Sequence, residues 1–138
     1  MSINDVTHTI IQSAMKVHSV LGPGLLERAY DACLAHQLSK NALQFDRQVR
    51  IPIQFEQVHL DCGFRADYIV EKCVLIELKA VEALHPLHTA QLLSYLKLTG
   101  ISVGLLINFN VAHLRHGIKR LVNGYREDDP QRSPRPPR

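Results

Sequence analysis

From Val49 to Val81 the chain changes direction on a period of two, and that stretch constrains the fold more than any other. Val49, Ile51, Ile53 and Phe55 alternate with Arg50, Gln54 and Glu56, the pattern of a strand with one face buried. Val58–Cys62 predicts a short second strand, Phe64–Val70 a third and Val74–Val81 a fourth. Helical periodicity lies on both sides of this block. Val6, Ile10, Ala14, Val17 and Leu21 recur at three and four and predict a helix from Ile3 to Leu21, capped by Asn4 or Asp5. Gly22-Pro23-Gly24 breaks the chain, and Leu26, Tyr30, Cys33, Leu34 and Leu38 mark a second helix over 25–38. Pro86 starts a third, which Gly100 ends near Leu98. The run Ile101–Phe109 reads as a buried strand, and Ile118–Val122 as a last short strand or helical turn. The order is that of an α/β chain, a central sheet flanked by helices.

Hydrophobic residues are 46% and charged residues 21% of 138, enough to build one core and too apolar for wholesale disorder. From Arg126 the composition changes: REDDPQRSPRPPR holds four of the seven prolines and no apolar residue, so residues 126–138 are expected to be a disordered tail behind a domain over 1–125. No apolar run is long enough to span a membrane, and no secretory leader is expected. Three cysteines without a CxxC argue against a disulfide framework and fit a reduced, cytoplasmic setting. A net charge of +3 permits a nucleic-acid partner without demanding one.

The chemistry concentrates in the third and fourth strands. A hairpin centred on Lys72 places Asp67 opposite Glu77 and Arg65 opposite Lys79. Alternation puts Phe64, Ala66, Tyr68 and Val70 on one face, with Val74, Ile76 and Leu78. Opposed carboxylates repel, and burial in a segment such as VLIELKAV raises the cost. Two arrangements relieve it. One is a neutral cross-strand lattice of Arg65, Asp67, Glu77 and Lys79 on an exposed face. The other is a divalent cation between the acids, where oxygen-only ligands suit Mg²⁺ or Mn²⁺ and Lys79 projects beside the site.

Three further segments bear on the choice. Asp67, Glu77 and Lys79 spell D-x9-E-x-K. Gln91-Leu92-Leu93-Ser94-Tyr95 spells Q-h-x-x-Y, with Gln91 and Tyr95 one turn apart. Gly24-Leu25-Leu26-Glu27-Arg28-Ala29-Tyr30 spells G-x-x-E-x-x-Y. In this order, with VHSVLGPGLLERAY, LLINFN and GIKRLVN, the chain over about 5–124 resembles the small GxxExxY proteins of the PD-(D/E)XK nuclease superfamily. The resemblance favours the metal site and implies a restriction-endonuclease-like core. It implies that Asp67, Glu77 and the Leu78 carbonyl bind Mg²⁺ or Mn²⁺, with Glu27 completing or supporting that shell. It makes Lys79 the catalytic lysine and gives Gln91 and Tyr95 contact with a substrate phosphate. The implied activity is phosphodiester hydrolysis, on DNA rather than RNA.

Other residues have plainer readings. Tyr30 lies on an apolar stripe and is expected in the core, and Gln91, among apolar neighbours, is expected to need a partner. His85 and His88 flank a helix start and read as surface histidines near a cap. His113, Arg115, His116, Lys119 and Arg120 read as a solvated basic run. Aromatics are 6% and tryptophan is absent, so no platform for stacking single-stranded bases is visible. A domain of this size is expected to need a second copy or a partner protein to grip a long duplex. The rival functions are an accessory module that binds nucleic acid or a partner without turnover, and an interaction protein unconnected with nucleic acid.

Overall fold

The computed structural model describes residues 1–124, so the expected tail lies outside the described residues. Helix α1 spans Ile3–Leu21, as its periodicity predicts, but its cap is Ser2. The Ser2 hydroxyl accepts from the Asp5 N–H, and the Asp5 carboxylate accepts in return from the Ser2 N–H, so two otherwise orphaned donors are satisfied at once. Helix α2 runs Glu27–Lys40, two residues later at each end than expected.

Strand β1 covers Phe45–Phe55 and β2 covers Val58–Val70. The two strands expected at 58–62 and 64–70 are one. Its irregularity falls at Gly63, where a Cβ would lie 2.1 Å from Ile53 Cδ1 and where the β1–β2 register shifts between Ile51 and Ile53. The third strand, β3, is Val74–Lys79. It returns from β2 through Glu71 and Lys72, both at positive φ (50° and 57°). Neither is glycine, and the turn is pinned from outside: the Glu71 N–H donates to the Gln44 carbonyl at 2.8 Å, and the Gln44 N–H to the Glu71 carboxylate. Helix α3 (Pro86–Thr99) follows, then β4 (Val103–Asn108), a single 3₁₀ turn (Leu114–His116) and β5 (Ile118–Val122).

The sheet order is β1-β2-β3-β4-β5. Among the described residues only β3 and β4 run parallel, joined by the α3 crossover. Helices α1 and α2 cover one face, burying Val6, Ile10, Tyr30 and Leu34 against Ile76, Leu78, Leu105 and Phe109. Helix α3 covers the other, where Leu92 and Leu96 meet Leu75 and Leu106.

One departure from simple alternation shapes the site. Tyr68 and Val70 pack on the α1–α2 side, whereas Phe64 and Ala66 pack with α3. The expectation of a single shared face fails because the ribbon turns over between them. On β1 the same change separates Phe45 from Val49 and Ile51. Gln48, between those residues, has φ 51°, a left-handed backbone that breaks the pleat. Asp67 stands at this elbow, between the paired positions Arg47↔Tyr68 and Val49↔Ala66.

Candidate active site

The opposed acids sit where the β2–β3 ladder stops. Its last backbone pair is Tyr68↔Ile76, in the register expected for a hairpin centred on Lys72. Beyond it, side-chain oxygens replace carbonyls as acceptors. Asp67 Oδ2 accepts from the Leu78 N–H at 2.8 Å, and Glu77 Oε1 accepts from the Asp67 N–H at 3.0 Å. Each carboxylate is therefore fixed by the other acid's strand. Gln48 Nε2 approaches Asp67 Oδ1 at 3.4 Å, a long contact that contributes little.

Both acids are half-buried, and both titrate above the ordinary carboxylate range. Burial pushes Glu77 up to about 8, the Asp67 charge adds to the rise, and the Asp67 N–H and Lys79 oppose it. Burial also raises Asp67. The Leu78 N–H opposes that shift, the Asp31 charge adds to it, and Gln48 and Lys79 pull it down. Like charges held this close favour a shared proton at neutral pH, or a cation in its place.

Lys79 ends β3 on the same face as Leu75 and Glu77, its carbonyl held by the Phe109 N–H at 2.9 Å. Its ammonium acts electrostatically on Asp67, Glu77 and Glu27. Among the described residues no ion pair joins Arg65, Asp67, Glu77 and Lys79, and Arg65 is exposed. The cross-strand lattice does not form.

The G-x-x-E-x-x-Y segment has a mechanical explanation. Gly24 adopts φ 98°, which favours glycine, and its N–H donates to Asn110 Oδ1 at 3.0 Å. The Tyr30 hydroxyl donates to the Gly22 carbonyl at 2.6 Å and accepts from the Leu25 N–H at 3.1 Å. Its ring is fully buried and stacks on Phe109 at 4.6 Å. Tyr30 is a core residue, as expected, and it also closes the loop that delivers Glu27 at the first position of α2. Glu27 is exposed, yet desolvation raises its carboxyl, the Asp67 charge raises it further, and Lys79 opposes.

Asp31, one turn along α2, escaped the sequence reading. The Tyr68 hydroxyl lies 2.8 Å from its carbonyl and 2.5 Å from Oδ1, and Arg47 Nη2 donates to Oδ2 at 2.8 Å. These bonds tie α2 to the elbow and so set the distance between Glu27 and Asp67. The only signal was the i, i+4 spacing from Glu27, which many exposed helical acids share.

Helix α3 contributes less directly. The Tyr95 ring stacks on Phe64 with centroids 3.6 Å apart. Its hydroxyl is raised by desolvation and then by the charges of Glu77 and Asp67. Gln91 is exposed and makes no side-chain hydrogen bond among the described residues. Its amide meets water rather than a partner in the fold and is left open to a ligand. His85 and His88 form a reciprocal cap: His85 Nδ1 accepts from the Leu87 N–H at 3.0 Å, and His88 Nδ1 from the His85 N–H at 3.1 Å.

A model of the PD-(D/E)XK nuclease superfamily matches residues 4–121, most of the chain and all of this geometry. The chain belongs to the PD-(D/E)XK nuclease superfamily. No curated protein and no solved structure matches it. The mixed five-stranded sheet between helices agrees with the restriction-endonuclease-like core of that superfamily.

PD-(D/E)XK nucleases generally use divalent metals, and the donors here fit one. They are oxygen atoms on two acids whose charge is costly without a cation. Among the described residues no three His, Cys, Asp or Glu side chains converge into a ligand set. A two-carboxylate site suits Mg²⁺, which keeps several waters and takes substrate oxygens. No helix among the described residues is long and apolar enough to cross a membrane.

Proposed function

We propose that this chain is a Mg²⁺- or Mn²⁺-dependent phosphodiesterase that cleaves DNA. The observation that carries the reading is the Asp67–Glu77 pair, held by reciprocal backbone bonds in a half-buried setting that penalises their charge. Asp67, Glu77 and the Leu78 carbonyl would hold the cation, with Glu27 completing or supporting that shell. The metal supplies Lewis-acid polarisation of a phosphate when bound. Lys79 orients the attacking water and offsets charge that develops on the phosphoryl oxygens. Tyr95 and Gln91 orient the substrate phosphate. The GxxExxY assignment rests on the G-x-x-E-x-x-Y motif at Gly24, Glu27 and Tyr30 and the segments that accompany it. The three free thiols, Cys33, Cys62 and Cys73, suit a cytoplasmic setting.

The alternative is an accessory module that binds without turnover. It draws on the absence of a third converging side-chain ligand among the described residues. A cleavage assay separates the two, with single-stranded, double-stranded and nicked DNA and RNA, in Mg²⁺, Mn²⁺ or chelator. Metal-dependent cleavage by wild type, lost in Lys79→Ala and Glu77→Ala proteins purified identically, supports the phosphodiesterase. Binding without cleavage, indifferent to chelator, supports the accessory module.

A further inference from the structure

Among the described residues the longest exposed stretch is the outer part of the β1–β2 hairpin. Strand β2 runs antiparallel to β3, so its residues before Asp67 extend past the end of β3 that carries Glu77 and Lys79. The ribbon packs on α3 as far as Ile51 and Phe64. From Pro52 to Gly63 it is exposed except for a half-buried Ile53. Phe55 stands four residues beyond Ile51, or roughly 13 Å. The hairpin is therefore a two-stranded arm rising beside the candidate site.

The arm has two parts, separated by the register shift. Inside it Arg50 pairs directly with Arg65. Beyond it Ile53 stands opposite Leu60, Gln54 opposite His59 and Phe55 opposite Val58. Like charges directly opposite on a sheet repel. Both arginines are exposed, and neither makes an ion pair or side-chain hydrogen bond among the described residues. Asp61 does not serve them, since it lies against His59 Nε2 at 3.3 Å. Arg65 is two residues from Asp67, roughly 7 Å along the strand. An anionic ligand spanning the two guanidinium groups would remove their repulsion.

We propose that this arm is a duplex-DNA grip, with Arg50 and Arg65 on backbone phosphates and the outer ribbon entering the major groove. A two-stranded ribbon fits the major groove of B-form DNA, about 12 Å wide. The deep, narrow major groove of A-form RNA excludes it. The side chains of the arm match what a duplex offers: guanidinium groups for phosphates, and the amide of Gln54 and imidazole of His59 for base edges. The arm supplies an extended contact that the bare core lacks. The proposal takes DNA as substrate from the phosphodiesterase reading and adds the strandedness and the residues that hold it.

The test is fluorescence anisotropy on the full chain, in chelator so that nothing is cut. The probes are a labelled DNA duplex, its single strand, and an RNA duplex of the same sequence. Wild type is compared with the Arg50→Ala/Arg65→Ala double variant across a salt series. Preference for the DNA duplex, and a log–log salt slope shallower by about 1.8 in the double variant, are expected. An unchanged slope, or equal binding of the RNA duplex, overturns the proposal. So does a Phe55→Ser change that converts a dimer to a monomer in gel filtration while the arginine variant binds DNA like wild type, since the arm then belongs to a second copy. Binding in chelator is independent of turnover. Failure of the metal site would appear instead as cleavage that survives chelator or Glu77→Ala.

Discussion

Replacing Glu77 with glutamine removes one charge from the acid pair and keeps an oxygen for the Asp67 N–H. The consequence depends on pH, and its sign follows from the direction of the shift. Glu77 titrates at about 8 in the fold against an ordinary 4.5. A carboxyl raised in this way stabilises the fold fully below its unfolded value, and that contribution is lost as pH rises through the folded value. Glutamine mimics the protonated form at every pH. At ~1.4 kcal/mol per pH unit the interval sets a ceiling of ~5 kcal/mol. Residual solvent at a half-buried side chain reduces the expected effect to ~2 kcal/mol. Without metal, Glu77→Gln should therefore match wild type near pH 4.5 and be more stable by ~2 kcal/mol at pH 9, roughly 8 °C in melting temperature for a chain of this size. Thermal melts in chelator across that range measure it directly. Adding Mg²⁺ at pH 9 should stabilise wild type and leave the variant where it was. A difference between the two proteins that stays constant with pH would refute the reasoning, because the repulsion it relies on would then be absent.

Four further outcomes are expected. Below pH 8 metal must displace a proton from Glu77, so the Mg²⁺-induced thermal shift should grow as pH rises from 6 to 8 and level off above it. Lys79→Ala should abolish cleavage while changing stability by no more than ~0.5 kcal/mol, since its ammonium has no ion pair among the described residues to lose; urea denaturation checks the second half. Tyr68→Phe leaves Asp31 Oδ1 without its hydroxyl donor and should cost ~1–3 kcal/mol in the same experiment. Gly117→Ala forces a Cβ to within 2.2 Å of the Asn108 carbonyl oxygen, and a loss of ~1–3 kcal/mol in urea titrations is expected from that clash.

Much of this architecture was legible because it rests on periodicity. The span of α1, the register of the β2–β3 hairpin and the position of β5 follow from spacing alone. Strand β1 begins at Phe45, four residues earlier than the alternation suggests, because Asp46, Arg47 and Gln48 are polar and are recruited by pairing with β2 rather than by burial. The union of 58–62 with 64–70 was hidden by Gly63, which marks an irregularity within a strand as readily as a break between two. Among the site residues, Asp67, Glu77 and Lys79 were visible as charges in an apolar ribbon. Asp31 was not, since its partners Arg47 and Tyr68 lie on other elements. The elbow at Gln48 was equally invisible: glutamine carries no local signal for a left-handed backbone.

That elbow also separates two regions of unequal cooperativity. Inside it, β2 is held by β1 and β3. Outside it, the ribbon has only its own cross-strand bonds and the flank of α3. Isolated two-stranded ribbons are marginal in water, so the arm can open without unfolding the core. Amide protons beyond Asp67 should exchange far faster than those of β3 and β4. Asp67 lies on the boundary and Glu77 within the core, so a cation bridging them would join the two regions. Metal occupancy and rigidity of the arm would then rise together, and an enzyme of this design would grip its substrate most firmly when it is also equipped to cut it.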